Sequence, residues 1–447
     1  MKRHIAGPLR RTGQHGQVLV PGLLLLGGLA AVLVMQYGVG RTVESRTRLI
    51  HATDAAAFSG ALEQARQLNF LAYANRAQVA HQIAMAHLVT LGASMAFADT
   101  LAGQHRRNNP PEHLLAALFG REVAQAYRAA RNDPQAQAGL ARAYAEHDRV
   151  VHEVLAAGSA AAVAGLPAAR ARRVREVLRD NLGAGDSPVF HLSQDDWPGY
   201  VRRRAATPGR GLWSAVEQAA GRYDFLGRRD ATRSKALPNG TRCPQAPHAL
   251  RRRGSTWLGA DGRWGALDTQ SFHSSRQNRW AGCYYREYSM AWGAVLGPNA
   301  EAPSEVEYTA APPADFTELD FWRWVRQSTT WDLRAGTGTP LANSYAMAGA
   351  RRWPGRGLPD DYEVAKDAAP LRFTLAVRLE RQVTMQARGT DERVVPGSRL
   401  DEHPAIVASS TAETYFSRPS AHPDGAVELA TLFRPYWQAR LSAEGAR

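Results

Sequence analysis

The sequence predicts an α+β protein: an N-terminal transmembrane helix continuing into a helical stalk or bundle, followed by an exported domain that contains antiparallel sheet. Three observations predict it. Residues 18–37 are twenty positions without a charged side chain; residues 41–183 carry helical periodicity and helix punctuation; the chain beyond turns to alternating apolar and polar positions amid Trp, Pro and Gly. The division is 1–17 cytoplasmic tail, 18–39 transmembrane helix, 40–183 helical region and 184–447 exported α+β domain.

An α-helix rises about 1.5 Å per residue, so residues 18–37 span roughly 30 Å, the thickness of a bilayer's hydrocarbon core. Pro21 sits in the first turn, where its missing N–H costs little, and Gly27 and Gly28 are tolerated because the hydrogen bonds stay within the helix. Lys2, Arg3, Arg10 and Arg11 precede the span; Arg41, Arg46 and Arg48 follow it with Glu44 among them. That bias points the N-terminus into the cytoplasm and exports the rest. A cleaved signal peptide is the alternative, but its apolar region is about 7 to 15 residues, and Gln36-Tyr37-Gly38-Val39-Gly40 is a poor small-residue cleavage site.

Beyond the span, at 100° per residue, Ile50, Ala61, Leu68, Ala72, Val79, Ile83 and Ala86 fall near one line, with Arg41, Arg48, Glu63, Arg66 and His81 opposite. No proline occurs between Arg41 and Ala98, so one long helix is expected, with Gly60 and Gly92 as candidate bends. Asn109-Pro110-Pro111-Glu112 predicts a second helix to about Arg131, and Asp133-Pro134 a third reaching Ala157. A fourth is expected from Ala160 to Leu182, stopped by Gly183.

After Gly185 the texture changes: ten of the eleven Trp lie from Trp197 to Trp353. Residues 371–383 alternate apolar with polar, the period of a strand with one buried face. Residues 283–295 and 406–416 read as further strands, 315–327 as a short helix and 298–313 as loop. The Trp-rich middle suits core packing, while Trp322, Trp324 and Trp331 beside Arg323 and Arg326 would form the surface patch if one is recruited.

The formal net charge is +14 and 52 of the 55 basic residues are Arg. Such a skew is what GC-rich coding produces, so the clusters at 170–179, 202–204, 228–233 and 251–253 read first as solvated faces and salt bridges. An anionic lipid or envelope polymer comes ahead of nucleic acid as their partner.

Motifs for catalysis are absent: no G-x-S-x-G, H-E-x-x-H, phosphate-binding G-x-x-x-x-G-K-[ST] or paired C-x-x-C. His147 and His152 lie about 140° apart on an ideal helix and do not suit a shared metal, nor do His81 and His87. Asp195-Asp196 and the pair Glu305 and Glu307 could supply carboxylates, but nothing nearby marks a nucleophile or metal. No catalytic residue, cofactor or metal ligand is therefore expected.

Several segments resemble a known family. HATDAAAFSGA at 51–61, just beyond the span, is similar to the stretch that follows the anchor in TadE/TadG-like proteins of Flp (Tad, tight-adherence) pilus systems. NFLAYANRAQVA at 69–80, AETYFSRP at 412–419, Asp424-Gly425 and LFRPYWQARL at 432–441 resemble one proteobacterial branch of that family. The resemblance implies a single-pass inner-membrane or pilus-associated component, not an enzyme, with the lipid bilayer and other pilus-assembly or pilin-like proteins as partners. Two departures limit it. The Asp-x-Ser-x-Ser metal site of relatives with a von Willebrand A domain does not occur. After Gly16 the fifth residue is Pro21, where pilin-like relatives carry Glu after their cleavage site. Rival readings are a membrane-tethered periplasmic hydrolase and an envelope-binding module using its arginines.

Cys243 and Cys283 are the two cysteines, and a pair in an oxidising compartment is most simply a disulfide. Closing that loop stabilises by about 4 kcal/mol in the chain-entropy model. Chain isolated from the periplasmic face should therefore resist thiol alkylation until reductant is added; alkylation of both thiols without reductant would refute the bond.

Overall fold

A computed structural model describes residues 19–131, 133–183, 188–236, 247–278, 282–297, 349–365, 370–379, 405–420, 422–426 and 428–442. The sequence's proline-free, alanine-rich run becomes one helix, α1 (Leu19–Arg106), of 88 residues and so about 130 Å long. Its first part is apolar and exposed all round, with Leu24 73%, Val34 72% and Met35 74% accessible. From Leu49 onward the same helix buries one face every three or four residues, through Ala56, Gly60, Leu68, Ala72, Met85, Val89 and Ala93.

That buried face matches the expected line at Ala61, Leu68, Ala72 and Ala86, with two corrections. Ile50 is 41% exposed, and the buried face also carries Gln64, Asn75, Gln78 and Gln82. Gly60 and Gly92 lie inside the unbroken helix.

Three further helical segments follow. The expected second helix is two, α2 (Glu112–Phe119) and α3 (Arg121–Ala129), divided at Gly120, whose φ of 97° is closed to most other residues. Asp133 caps α4 (Pro134–Arg149) by accepting from Ala136 N at 3.0 Å, as its position before proline predicts. The expected third and fourth helices are not separate. A π-turn (Val150–Ala156) joins α4 to α5 (Ala157–Leu182), which ends at Gly183 with φ 93°. The i, i+4 ridge Leu166, Arg170, Val174, Leu178 and Leu182 is the buried side of α5, and α5 packs along α1.

Among the described residues the strands form two sheets and a ribbon. In the first sheet, β1 (Val189–Asp195), β9 (Leu371–Leu379), β10 (Ile406–Phe416) and β11 (Trp437–Leu441) pair antiparallel in that order. Along β9, Leu371, Phe373, Leu375, Val377 and Leu379 are buried, the alternation the sequence predicts. The second sheet orders β3 (Ala231–Ala236), β4 (Pro247–Leu258), β5 (Trp264–Asn278), β6 (Gly282–Leu296) and β7 (Arg351–Arg352), antiparallel except for the last pair. A ribbon of β2 (Val201–Arg204) and β8 (Asp361–Val364), with α6 (Gly211–Ala220), lies between them in sequence. The expected helix at 315–327 and loop at 298–313 fall outside the described residues.

Both sheets pack on α1. Leu49, Ala52, Ala56, Ala57 and Ala61 share a core with Val174, Leu178, Phe373, Leu375, Val377 and Ala412. Higher on the helix, Ala65, Leu68 and Leu71 meet Leu166, Trp197, Leu371, Leu432 and Trp437. Higher still, Met85, Ala86, Val89 and Ala93 meet Tyr144, Trp213, Trp264, Val295 and Trp353. Trp197, Trp213, Trp264 and Trp353 are thus core residues, the packing expected for the Trp-rich middle, and Trp437 joins the core from outside that stretch.

Two glycines set the distance between helix and sheet. A Cβ on Gly60 would stand 2.7 Å from the ring of Phe373, and one on Gly293 of β6 would stand 2.3 Å from Phe97 N and 2.4 Å from Ala93 O of α1. The second clash is with backbone and has no rotamer escape. Gly293→Ala should therefore cost about 3 kcal/mol of stability by forced overpacking. Gly139→Ala in α4, where a methyl meets nothing within 4 Å, should gain about 0.5–1 kcal/mol from helix propensity. Denaturant titration of the two variants checks both signs.

Candidate functional site along the spine helix

Buried polar groups favour hydrogen-bonded placement, and several polar side chains on the packed face of α1 meet strands and loops far along the chain, although Gln64 Nε2, Gln78 Oε1 and Gln82 Nε2 are left without partners. Asn69 makes a two-way bond with one backbone residue: its Nδ2 donates to Trp437 O and its Oδ1 accepts from Trp437 N, each at 3.0 Å. Asn75 Nδ2 donates to Leu432 O at 2.8 Å. Thr414 Oγ1 lies 2.9 Å from Ala61 O and 3.0 Å from Gln64 Oε1. The segments at 51–61, 69–80, 412–419 and 432–441, which carry the family resemblance, therefore meet at one seam.

The seam continues up the helix. Trp264 Nε1 donates to Gln82 Oε1 at 3.0 Å, and the hydroxyls of Thr90 and Thr256 lie 2.8 Å apart. Thr100 Oγ1 donates to Trp292 O at 2.6 Å and accepts from Trp292 N at 2.8 Å, tying α1 to the β6 backbone. Each such bond contributes about 1 kcal/mol net, but its buried donor or acceptor is costly to strand.

Ion pairs hold the outer parts. Glu413 of β10 is 3% exposed at its side chain and stands in register with Arg372 of β9 and Arg440 of β11. Burial alone would raise its pKa, yet hydrogen bonds from both guanidiniums hold the carboxyl below the usual glutamate range. Arg170 of α5 is buried and clasps Asp195 with both terminal nitrogens, its guanidinium 4.9 Å from the Phe373 ring centre. Asp268 is fully buried on β5 and receives Arg229 at 3.2 Å and Ser94 at 3.3 Å.

The residues singled out in the sequence fall as follows. Asp195 also accepts from Trp197 N, and Asp196 accepts from Arg372 N at 3.2 Å, so this pair ties β1 to α5 and β9. Within the arginine clusters, Arg203 pairs with Asp360, Arg204 with Glu363 and Arg228 with Asp230. Cys283 is the second residue of β6, opposite Gln277. Cys243, Glu305, Glu307, Trp322, Trp324 and Trp331 lie outside the described residues.

His147 and His152 go separate ways. His147 Nδ1 faces Nδ1 of His81 on α1 at 2.7 Å, which requires one of the two rings to be neutral, since one nitrogen must accept. His152, within the π-turn, has its Nε2 3.0 Å from Gly357 O and 3.7 Å from Asp148. Asp148 in turn accepts from Arg356 N and Nε, each at 2.9 Å. Helix geometry brings Asp148 near His152, but the partners at hydrogen-bond distance arrive from another helix for His147 and from a distant loop for His152. Among the described residues no group of three His, Cys, Asp or Glu is placed to hold a metal ion.

No protein family, curated protein or solved structure compared with the chain matches it.

Two buried histidines and one half-buried histidine prefer to be neutral. Burial lowers the pKa of His81, with His147 adding to the effect; burial lowers His248; and complete burial, then Arg251 and Arg253, pushes His273 down to about 3. The unfolded chain therefore binds more protons than the folded one below the ordinary histidine value near 6.5, so stability is full above it and falls as pH drops. Between about pH 6.5 and 4.5 the slope should reach about 1.4 kcal/mol per pH unit for each group that stays neutral. Unfolding midpoints measured across that range should decline in the native chain, and His273→Gln should flatten the decline.

Proposed function

We propose that the chain is a single-pass membrane component of a bacterial Flp/Tad-type pilus assembly or secretion system, serving assembly, anchoring or a minor pilin-like role. One observation carries the topology: the exposed, uncharged apolar segment and the buried spine of the body are the same unbroken helix. An exposed apolar surface of this size is unfavourable in water and matches lipid. The pilus system itself is drawn from the resemblance of residues 51–61, 69–80, 412–419 and 432–441.

In this reading residues 18–39 cross the inner membrane, the basic tail stays in the cytoplasm, and the body stands on the periplasmic side or reaches the surface. Residues 134–182 are also long and apolar enough to cross by composition, but they include the buried Arg170 and pack along α1, which assigns them to the body. With no loop between anchor and core, displacement of the body is transmitted to the membrane along a hydrogen-bonded rod. The anchor would hold the body beside its partners, and other pilus components would pack against the exposed helix faces.

A charge at the centre of the span costs about 3 kcal/mol of insertion free energy. Native chain should thus sediment with inner membrane and resist carbonate extraction, whereas a Leu25→Arg, Leu29→Arg double variant should be released. Deleting the gene should reduce pilus number and surface attachment; normal piliation and attachment in the deletion strain would refute the role.

A further inference from the structure

At the end of α1 farthest from the apolar segment, α1, α3 and the second sheet line a half-open cavity of about 290 Å³. Its walls are apolar where Leu101 of α1, Val123 of α3, Leu250 of β4 and Met290 of β6 converge. The polar part of the lining is Arg233, Arg252 and Gln270 together with Tyr127, and it includes no carboxylate. Register explains the grouping: Arg252 stands opposite Ala231 on β3 and Gln270 on β5, and Arg233 stands opposite Leu250 in a neighbouring row.

The charge in this lining is not neutralised from within. The Arg233 and Gln270 side chains form no hydrogen bond or ion pair among the described residues. Arg252 reaches Asp268 at 3.8 Å, but Arg229 already holds that carboxylate at 3.2 Å, and the Arg252 guanidinium lies over the Phe97 ring at 5.0 Å. Tyr127 is spent, donating to Asn109 O at 2.8 Å. Two guanidiniums in adjacent rows repel each other, and a guanidinium's planar fork is matched by a carboxylate. The apolar walls, near the lower end of the size range of ligand pockets, admit one short chain or ring.

We infer that this cavity binds a small amphiphilic carboxylate. The carboxylate accepts hydrogen bonds from Arg233 and Arg252, with Gln270 Nε2 as a third donor, and one apolar group enters between Leu101, Val123, Leu250 and Met290. The inference is independent of the pilus reading, since it uses the body alone.

The test is calorimetric titration of the full chain in lipid nanodiscs with 3-phenylpropionate, against empty nanodiscs as blank. Saturable one-to-one binding is expected, about tenfold tighter than that of 3-phenylpropanol, which keeps the ring without the charge, or of acetate, which keeps the charge without the ring. Arg233→Gln, on an exposed edge strand, should weaken binding about tenfold. Ala126→Trp, at an exposed position on the cavity rim, should abolish it, and both variants should keep the native unfolding midpoint. Absence of saturable binding, equal affinity for the alcohol, or unchanged affinity in both variants would overturn the site.

Discussion

One constraint organises this molecule: a single unbroken helix must present a close-packing face to two sheets at once while its far end stays apolar on every side. Small residues meet that constraint. Ala52, Ala56, Ala57, Gly60 and Ala61 let Phe373 and the α5 ridge approach the helix backbone, and Gly293 lets β6 touch it at Ala93 and Phe97. Close approach maximises dispersion contact, so the seam is tight without large side chains on the helix.

Apolar packing on small residues is weakly directional, since an alanine face can slide along a sheet. The polar side chains of α1 remove that freedom. Asn69 fits one backbone position, Trp437, and Thr100 fits one, Trp292, so a shift of helix against strand would strand buried donors and acceptors at both ends. Ion pairs such as that of the buried Arg170 with the half-buried Asp195 act in the same sense: desolvation offsets much of their attraction, while removing the partner of the buried charge is costly.

The same arrangement separates two contrasting ends of the helix. The apolar end and the cavity near Leu101 lie at opposite ends of α1, joined by a helix stitched throughout to the body. The π-turn lets α4 and α5 run as one element while directing His147 to the spine and Asp148 and His152 to the loop around Gly357. The arginine-rich composition is absorbed partly into these pairs, which leaves Arg233 and Arg252 notable for their place beside an apolar cavity.

Local patterns were legible in the sequence because they depend on residues a few positions apart. The uncharged segment near residue 20, the Asp133 cap, the stop at Gly183 and the alternation in β9 follow from hydrophobic period and backbone chemistry. The break at Gly120 and the π-turn escaped that reading, for each is a small local departure stabilised by neighbours packed on it. So did α6, the strands β1 to β5, β7, β8 and β11, and the polar character of the spine's buried face. Asn69 and Trp437 stand 368 residues apart, and the His81 and His147 partnership spans 66. No periodicity encodes such pairs. The sequence by itself determined the long helical run, its uncharged apolar start and the strands within 283–295, 371–379 and 406–416, because those follow from local period; only the tertiary structure decided which polar groups meet, because their partners are set by how whole elements dock.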